Sequence, residues 1–124
     1  FPGALWAVNP RHAEVDGVPC APSVAALPAA PDLAVICTPP ATLPELIDAL
    51  GARGTRAVIV ITALERGAAG TPELRERCLV AARRYQLRIL GPNCVGLLAP
   101  GARLNASFAH AAGRPGPLAF VSQS

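Results

Sequence analysis

The run Ala57-Val58-Ile59-Val60-Ile61 holds four β-branched residues in succession and no polar side chain. Such residues favour extended backbone, and an unbroken apolar run is what a strand covered on both faces requires. A second run, Leu33-Ala34-Val35-Ile36-Cys37, has the same character and is stopped by Thr38-Pro39-Pro40. Between the two, Leu43, Leu46, Ile47 and Leu50 recur at helical spacing. Thr42 is placed to cap that helix, Pro44 is tolerated in its first turn, and Gly51 can close it. Beyond the second run, Thr71-Pro72-Glu73 opens a longer helix with an inner stripe of Leu74, Cys78, Ala81, Ala82 and Tyr85. Glu73 lies at its positive end and Arg83 and Arg84 at its negative end, which suits the helix dipole.

Shorter signals complete the pattern. Leu5 to Val8, Arg88 to Leu90 and Leu118 to Val121 read as strands, and Ser23 can cap a short helix over Val24 to Leu27. Glu65 to Gly70 reads as a loop. Strand and helix alternate, which implies right-handed βαβ units and a parallel sheet with flanking helices. The stretch from Ala99 to Pro117 is rich in Gly, Ala and Pro and has no clear period, so it reads as a connection between domains.

Composition narrows the function classes. Apolar residues make up 52% of the chain and charged residues 15%, so a compact core is expected rather than disorder. All 11 basic residues are arginine, and they are scattered, which argues against nucleic acid and leaves anionic small molecules open. The absence of lysine, with abundant Ala, Pro and Gly, suggests a GC-rich genome, and a bacterial source is expected. Cys20, Cys37, Cys78 and Cys94 form no C-x-x-C pair, so a metal site is not expected and reduced thiols in a cytoplasmic protein are. No apolar stretch reaches the roughly 20 residues that span a bilayer. There is no methionine, and Phe1-Pro2-Gly3 reads as the end of a loop, so the sequence predicts a piece of a longer reading frame.

In open parallel sheets, ligands bind at the carboxyl ends of the strands. That rule selects Asn9-Pro10-Arg11, Thr38-Pro39-Pro40, Thr62-Ala63, Asn93-Cys94 and Ser122-Gln123-Ser124. Arg11 offers a planar set of donors for phosphate, or is simply solvated. Thr38-Pro39-Pro40 is either a rigid apolar wall or a plain strand stop. Ser122 and Ser124 are either a polar strand end or, with a helix following, one side of an anion site. Cys94 has no adjacent base to activate it, so a packing role is expected, and Asn93 is the better hydrogen-bonding candidate. A dinucleotide-binding dehydrogenase would carry an acid after its second strand to hold the ribose; Asn9-Pro10-Arg11 has none. His12 and His110 lie in loops and are expected at the surface.

The segment Gly91-Pro92-Asn93-Cys94-Val95-Gly96, the Ser122-Gln123-Ser124 strand end and Val8-Asn9-Pro10-Arg11 together carry a resemblance. The chain resembles the alpha subunit of succinyl-CoA ligase and, more closely, the NDP-forming acyl-CoA synthetases, over nearly its whole length. The resemblance implies a Rossmann-like coenzyme A-binding domain over residues 1–98, truncated before its first strand and Gly-rich loop. It implies a linker over 99–116, and the first strand of a flavodoxin-like second domain over 117–124. It places coenzyme A or acyl-CoA against Asn9, Pro10, Arg11, Thr38, Pro39, Pro40, Ile61, Thr62, Ala63, Asn93 and Cys94, and phosphate against Ser122 and Ser124. No catalytic residue falls within the chain. The phosphohistidine, the NDP/NTP and Mg sites and an ATP-grasp domain or subunit would lie outside it, in an oligomeric parent enzyme. Ala63 departs from the family, where Glu follows the matching Thr. Together with Leu64-Glu65-Arg66, that departure keeps open a regulatory, synthetase-like region of a bacterial protein lysine acetyltransferase.

Overall fold

The computed structural model describes residues 1–64, 70–111 and 113–117. Its centre is a parallel sheet of three strands, β4 (Leu33–Ile36), β5 (Ala57–Val60) and β6 (Arg88–Leu90), in that spatial order. Helix α1 (Leu43–Ala52) connects the first pair and α2 (Thr71–Arg84) lies between the second. The register sets Ala34, Val58 and Ile89 in one row and Ile36 and Val60 in the next. In a strand these residues point to one face. They pack there with Leu43, Ile47 and Leu50 of α1 and with Cys78, Ala81 and Ala82 of α2. The continuous apolar runs and the helical stripes therefore close on each other as their periods require.

A smaller sheet precedes this core. Strand β1 (Ala7–Val8) pairs in parallel with β3 (Val18–Ala21), which pairs antiparallel with β2 (Glu14–Val15). The β2–β3 turn is Asp16-Gly17, with φ of 48° and 77°. Two successive left-handed residues are what a tight hairpin needs, and Asp-Gly is the sequence signal for it. Val24–Ala26 forms a 3-10 turn; Ser23 precedes it in extended backbone but makes no side-chain cap. Strands β7 (Gly96–Ala99) and β8 (Leu104–Ser107) form an antiparallel hairpin around a 3-10 turn at Pro100–Ala102. So part of the stretch expected to be a bare connection is paired backbone. The expected strand over Leu118 to Val121 and the loop residues 65–69 lie outside the described residues.

Two helix ends differ from expectation. Thr42 precedes α1 in helical backbone and makes no cap; its hydroxyl bonds Pro39 O instead. Gly51 does not end α1, which runs on to Ala52. Gly51 is buried where α1 crosses α2, and a Cβ there would lie 2.7 Å from Tyr85 Cγ and 2.9 Å from Tyr85 Cβ. It is a packing glycine. Beside it, Arg53 donates to Ala25 O at 3.1 Å and to Leu27 O at 2.8 Å, tying the 3-10 turn to the end of α1.

Gly51→Ala sets two effects against each other. Alanine gains about 1 kcal/mol of helix propensity. Collision with the root of the Tyr85 ring costs about 1–3 kcal/mol and cannot be relieved by a flexible tip. A net loss of about 1 kcal/mol is expected in urea unfolding followed by circular dichroism, with recovery in the Gly51→Ala, Tyr85→Ala double variant. A Gly51→Ala chain as stable as the parent would mean the helices can separate freely.

Candidate functional site

Because β4, β5 and β6 are parallel, their carboxyl ends open on one edge of the sheet. Three turns leave that edge: Cys37 to Thr42, Ile61 to Leu64, and Gly91 to Val95. Hydrogen bonds lock them together. The Thr62 hydroxyl donates to Thr38 O at 2.7 Å, across to the β4 turn. The Asn93 N–H donates to Thr62 O at 3.0 Å, from the β6 turn. Thr62 is thus the joint between both neighbours.

The β6 turn is built by close approach. Gly91 has φ of +98°, a conformation that side chains disfavour, and a Cβ there would collide with Val60 O. The Gly91–Pro92 bond is cis. Asn93 is left-handed at φ 58°, which Asn tolerates better than most residues. This folds Cys94 back onto β5, where its thiol donates to Val60 O at 3.4 Å. Among the described residues no base contacts the thiol, and its partner is a carbonyl. Cys94 therefore closes the turn. Burial raises the pKa of Cys78, offset in part by the Arg77 charge, and partial burial raises that of Cys37. Cys78 is a packing residue of the core, whereas Cys37 is exposed at the start of the β4 turn.

The β4 turn carries a second chain of bonds. Thr42 Oγ1 donates to Pro39 O at 2.7 Å and lies 2.7 Å from Thr38 Oγ1. Pro39 and Pro40 are exposed on the rim. Among the described residues of the three turns there is no acid.

Asn9-Pro10-Arg11 belongs to the smaller sheet. Asn9 Oδ1 accepts from Arg11 N at 2.9 Å and His12 N at 3.2 Å, so this side chain shapes its own turn. The Arg11 guanidinium is exposed and makes no bond to any described residue. No hydrogen bond among the described residues joins this turn to the Thr62 cluster. The structure thus brings together Thr38, Pro39, Thr62, Asn93 and Cys94, and leaves Asn9 to Arg11 on a separate element. Ile61 is held in the ladder by Ile36 O at 3.0 Å, and Ala63 is exposed beyond it. Ser122 and Ser124 lie outside the described residues. His12 and His110 are exposed. The part played by the Thr42 hydroxyl was not legible from sequence, since a Thr before a helix reads first as a cap. Among the described residues no group of His, Cys, Asp and Glu is placed to hold a metal ion, and no helix is long and apolar enough to cross a membrane.

A parallel sheet whose connecting turns gather at its carboxyl edge is the architecture of nucleotide-type α/β binding domains. Residues 2–100 match the CoA binding domain family, and the chain belongs to it. Named relatives point the same way. The chain is 36% identical over 126 residues to acetate–CoA ligase [ADP-forming] I of Archaeoglobus fulgidus, covering 100% of this chain and 18% of that protein. It is 40% identical to the alpha subunit of acetate–CoA ligase [ADP-forming] II of Pyrococcus furiosus, covering 98% and 27%. Among solved structures, one from Pyrococcus horikoshii OT3 superposes with a TM-score of 0.79 at 33% identity, covering 86% of this chain and 25% of that one. The dinucleotide-forming acetyl-coenzyme A synthetase 1 of Ca. Korarchaeum cryptofilum gives 0.77 at 39% identity, covering 87% and 23%. The chain therefore spans only about a fifth to a quarter of the length of these relatives. Their names are those of acid–CoA ligases and synthetases, which does not favour the acetyltransferase alternative.

Cys94→Ala is expected to cost about 1 kcal/mol of stability, the value of one weak bond and a small void. Gly91→Ala is expected to cost about 2–4 kcal/mol, because strain and collision act at one residue. Urea unfolding of the two variants checks the order. A Cys94→Ala chain that loses more than Gly91→Ala would assign the turn to the thiol instead of the glycine.

Proposed function

We propose that this chain is the coenzyme A-binding part of an NDP-forming acyl-CoA synthetase. The observation that carries the reading is the Thr62 joint, which gathers the turns after three parallel strands at one edge of a CoA binding domain. Residues 1–98 would form the coenzyme unit, 99–116 would lead out of it, and 117–124 would open a second unit. Strand β8 supports a coenzyme unit that reaches somewhat past residue 98.

The residues present suit the coenzyme. Pro39 and Pro40 offer a rigid apolar surface for a flat base or an alkyl arm. Asn93 is exposed, with a side-chain amide that bonds no described residue and can both donate and accept. Ile61, Thr62 and Ala63 would border the same surface, with Cys94 behind it. Arg11, with Asn9 and Pro10 holding its turn, would supply charge for a phosphate group. Ser122 and Ser124 would stand on the phosphate side of the second unit.

In the parent enzyme, acyl-CoA, phosphate and NDP would be exchanged for free acid, coenzyme A and NTP. The phosphohistidine, the Mg-bound nucleotide and an ATP-grasp domain or subunit would be supplied from outside this chain. The names of relatives with a separate alpha subunit support such a partner. We further propose an oligomeric, cytoplasmic, ATP-binding parent. A bacterial source rests on the lysine-free, Ala- and Pro-rich composition, although the relatives named above are archaeal.

Titration calorimetry with coenzyme A tests the reading. Arg11→Ala is expected to weaken binding about tenfold, the effect of losing one charge-assisted bond to phosphate, and high salt should narrow the difference. Equal affinity of both forms would remove Arg11 from the site. No binding by the parent chain would remove the coenzyme reading.

A further inference from the structure

No Asp or Glu occurs after Glu76, yet Arg103 and Arg114 lie in that stretch. Arg103 lines a cavity of about 230 Å³ at the turn end of the β7–β8 hairpin, and none of the lining residues belongs to the three turns of the carboxyl edge or to the Asn9 turn. Leu98, Pro100, Leu104 and Pro115 give this cavity apolar walls. The chain returns closely over the hairpin turn, since a Cβ at Gly113 would lie 3.1 Å from Pro100 Cγ. The polar side chains of the lining are Arg103 and Asn105, both exposed, so the cavity is reachable from solvent. Arg103 N donates to Pro100 O at 2.9 Å, which fixes where this side chain leaves the turn, and its guanidinium bonds no described residue. The Ser107 N–H can only donate, and it meets Asn105 Oδ1 at 3.1 Å; the Ser107 hydroxyl adds a second bond at 2.7 Å. The acceptor of Asn105 is thus occupied, and its amide nitrogen keeps its donors for another partner.

We propose that this cavity is a second ligand site, for a small carboxylate anion with a short aliphatic tail. Both of its polar side chains present donors, so it selects an acceptor, and a guanidinium matches the paired oxygens of a carboxylate. The apolar walls take the tail, which a phosphate or sulfate ion lacks. The volume is below the roughly 300–1,000 Å³ of sites for larger ligands, which leaves out a nucleotide or coenzyme A. A stretch of arginines without acids also draws anions from solution. The proposal does not depend on the coenzyme reading, because the two sites share no residue.

Heteronuclear NMR of the isotope-labelled chain, titrated with sodium butyrate, tests this. Butyrate is expected to bind with a dissociation constant on the order of 1 mM, as suits a ligand of few atoms. It should move the side-chain amide signals of Asn105 and the backbone signals of Leu98 and Leu104. Butyramide, which keeps the shape and lacks the charge, is expected to bind about fivefold more weakly. Arg103→Gln should weaken butyrate by a similar factor, with Arg103→Lys in between. Formate, which keeps the charge and lacks the tail, should also bind more weakly than butyrate. Butyrate shifts no larger than those from sodium chloride at equal ionic strength would mean that there is no site. Equal binding of butyrate and butyramide would remove the recognition of charge, and shifts confined to Thr62 and Asn93 would place the anion at the carboxyl edge. Each of these outcomes overturns the proposal and leaves the coenzyme reading to its own titration. The comparison of butyrate with butyramide needs no substitution, so it decides the matter even where an Arg103 variant fails to fold.

Discussion

Strand β5 is hydrogen-bonded along both edges, and the remainder of the core takes its place from it. Val58, Ile59 and Val60 are each no more than 2% exposed. They owe this to a stretch without a polar side chain, which has nothing to lose by leaving water on either face. Val58 and Val60 anchor both helices. Past Val60, the same backbone runs out as Ile61-Thr62, and its polar groups become the fixed points of the carboxyl edge. Stability and site are thus successive parts of one strand.

The edge is shaped by backbone approach more than by side-chain chemistry. Val60 O receives the Cys94 thiol and leaves no room for a side chain at Gly91. Thr62 O receives Asn93, and Thr62 Oγ1 reaches Thr38 O. Each bond joins turns far apart in sequence, so the edge can form only after the parallel ladder has set its register. The chain belongs to the CoA binding domain family, and it spans only part of the much longer ligases and synthetases it resembles.

Much of this was legible in the residues. The runs at Leu33 and Ala57 are continuous and the stripes at Leu43 and Leu74 are periodic, so β4, β5, α1 and α2 follow from local pattern. The hairpins were harder. Glu14 and Val15 are exposed in a two-residue strand, and only the Asp16-Gly17 turn marks it. The β7–β8 pair lies in a Gly-, Ala- and Pro-rich stretch with no period to read, because its partners are defined by pairing rather than by burial. Gly51 reads as a helix stop, yet its reason is the Tyr85 ring just past the end of α2. Thr42 reads as a cap, yet its proton goes to Pro39 O. At both positions a local rule yields to a contact the local sequence does not contain.

By itself, the sequence determined the class of fold and the runs and stripes that build its central sheet and helices. Those are properties of composition and period, which every short window carries. Tertiary structure decided which strand ends are tied to each other, that the Asn9 to Arg11 turn stands on a different sheet, and which way the threonine protons point. Hydrogen-bond direction depends on the partner as much as on the donor, and the partner of Thr62 lies 24 residues away.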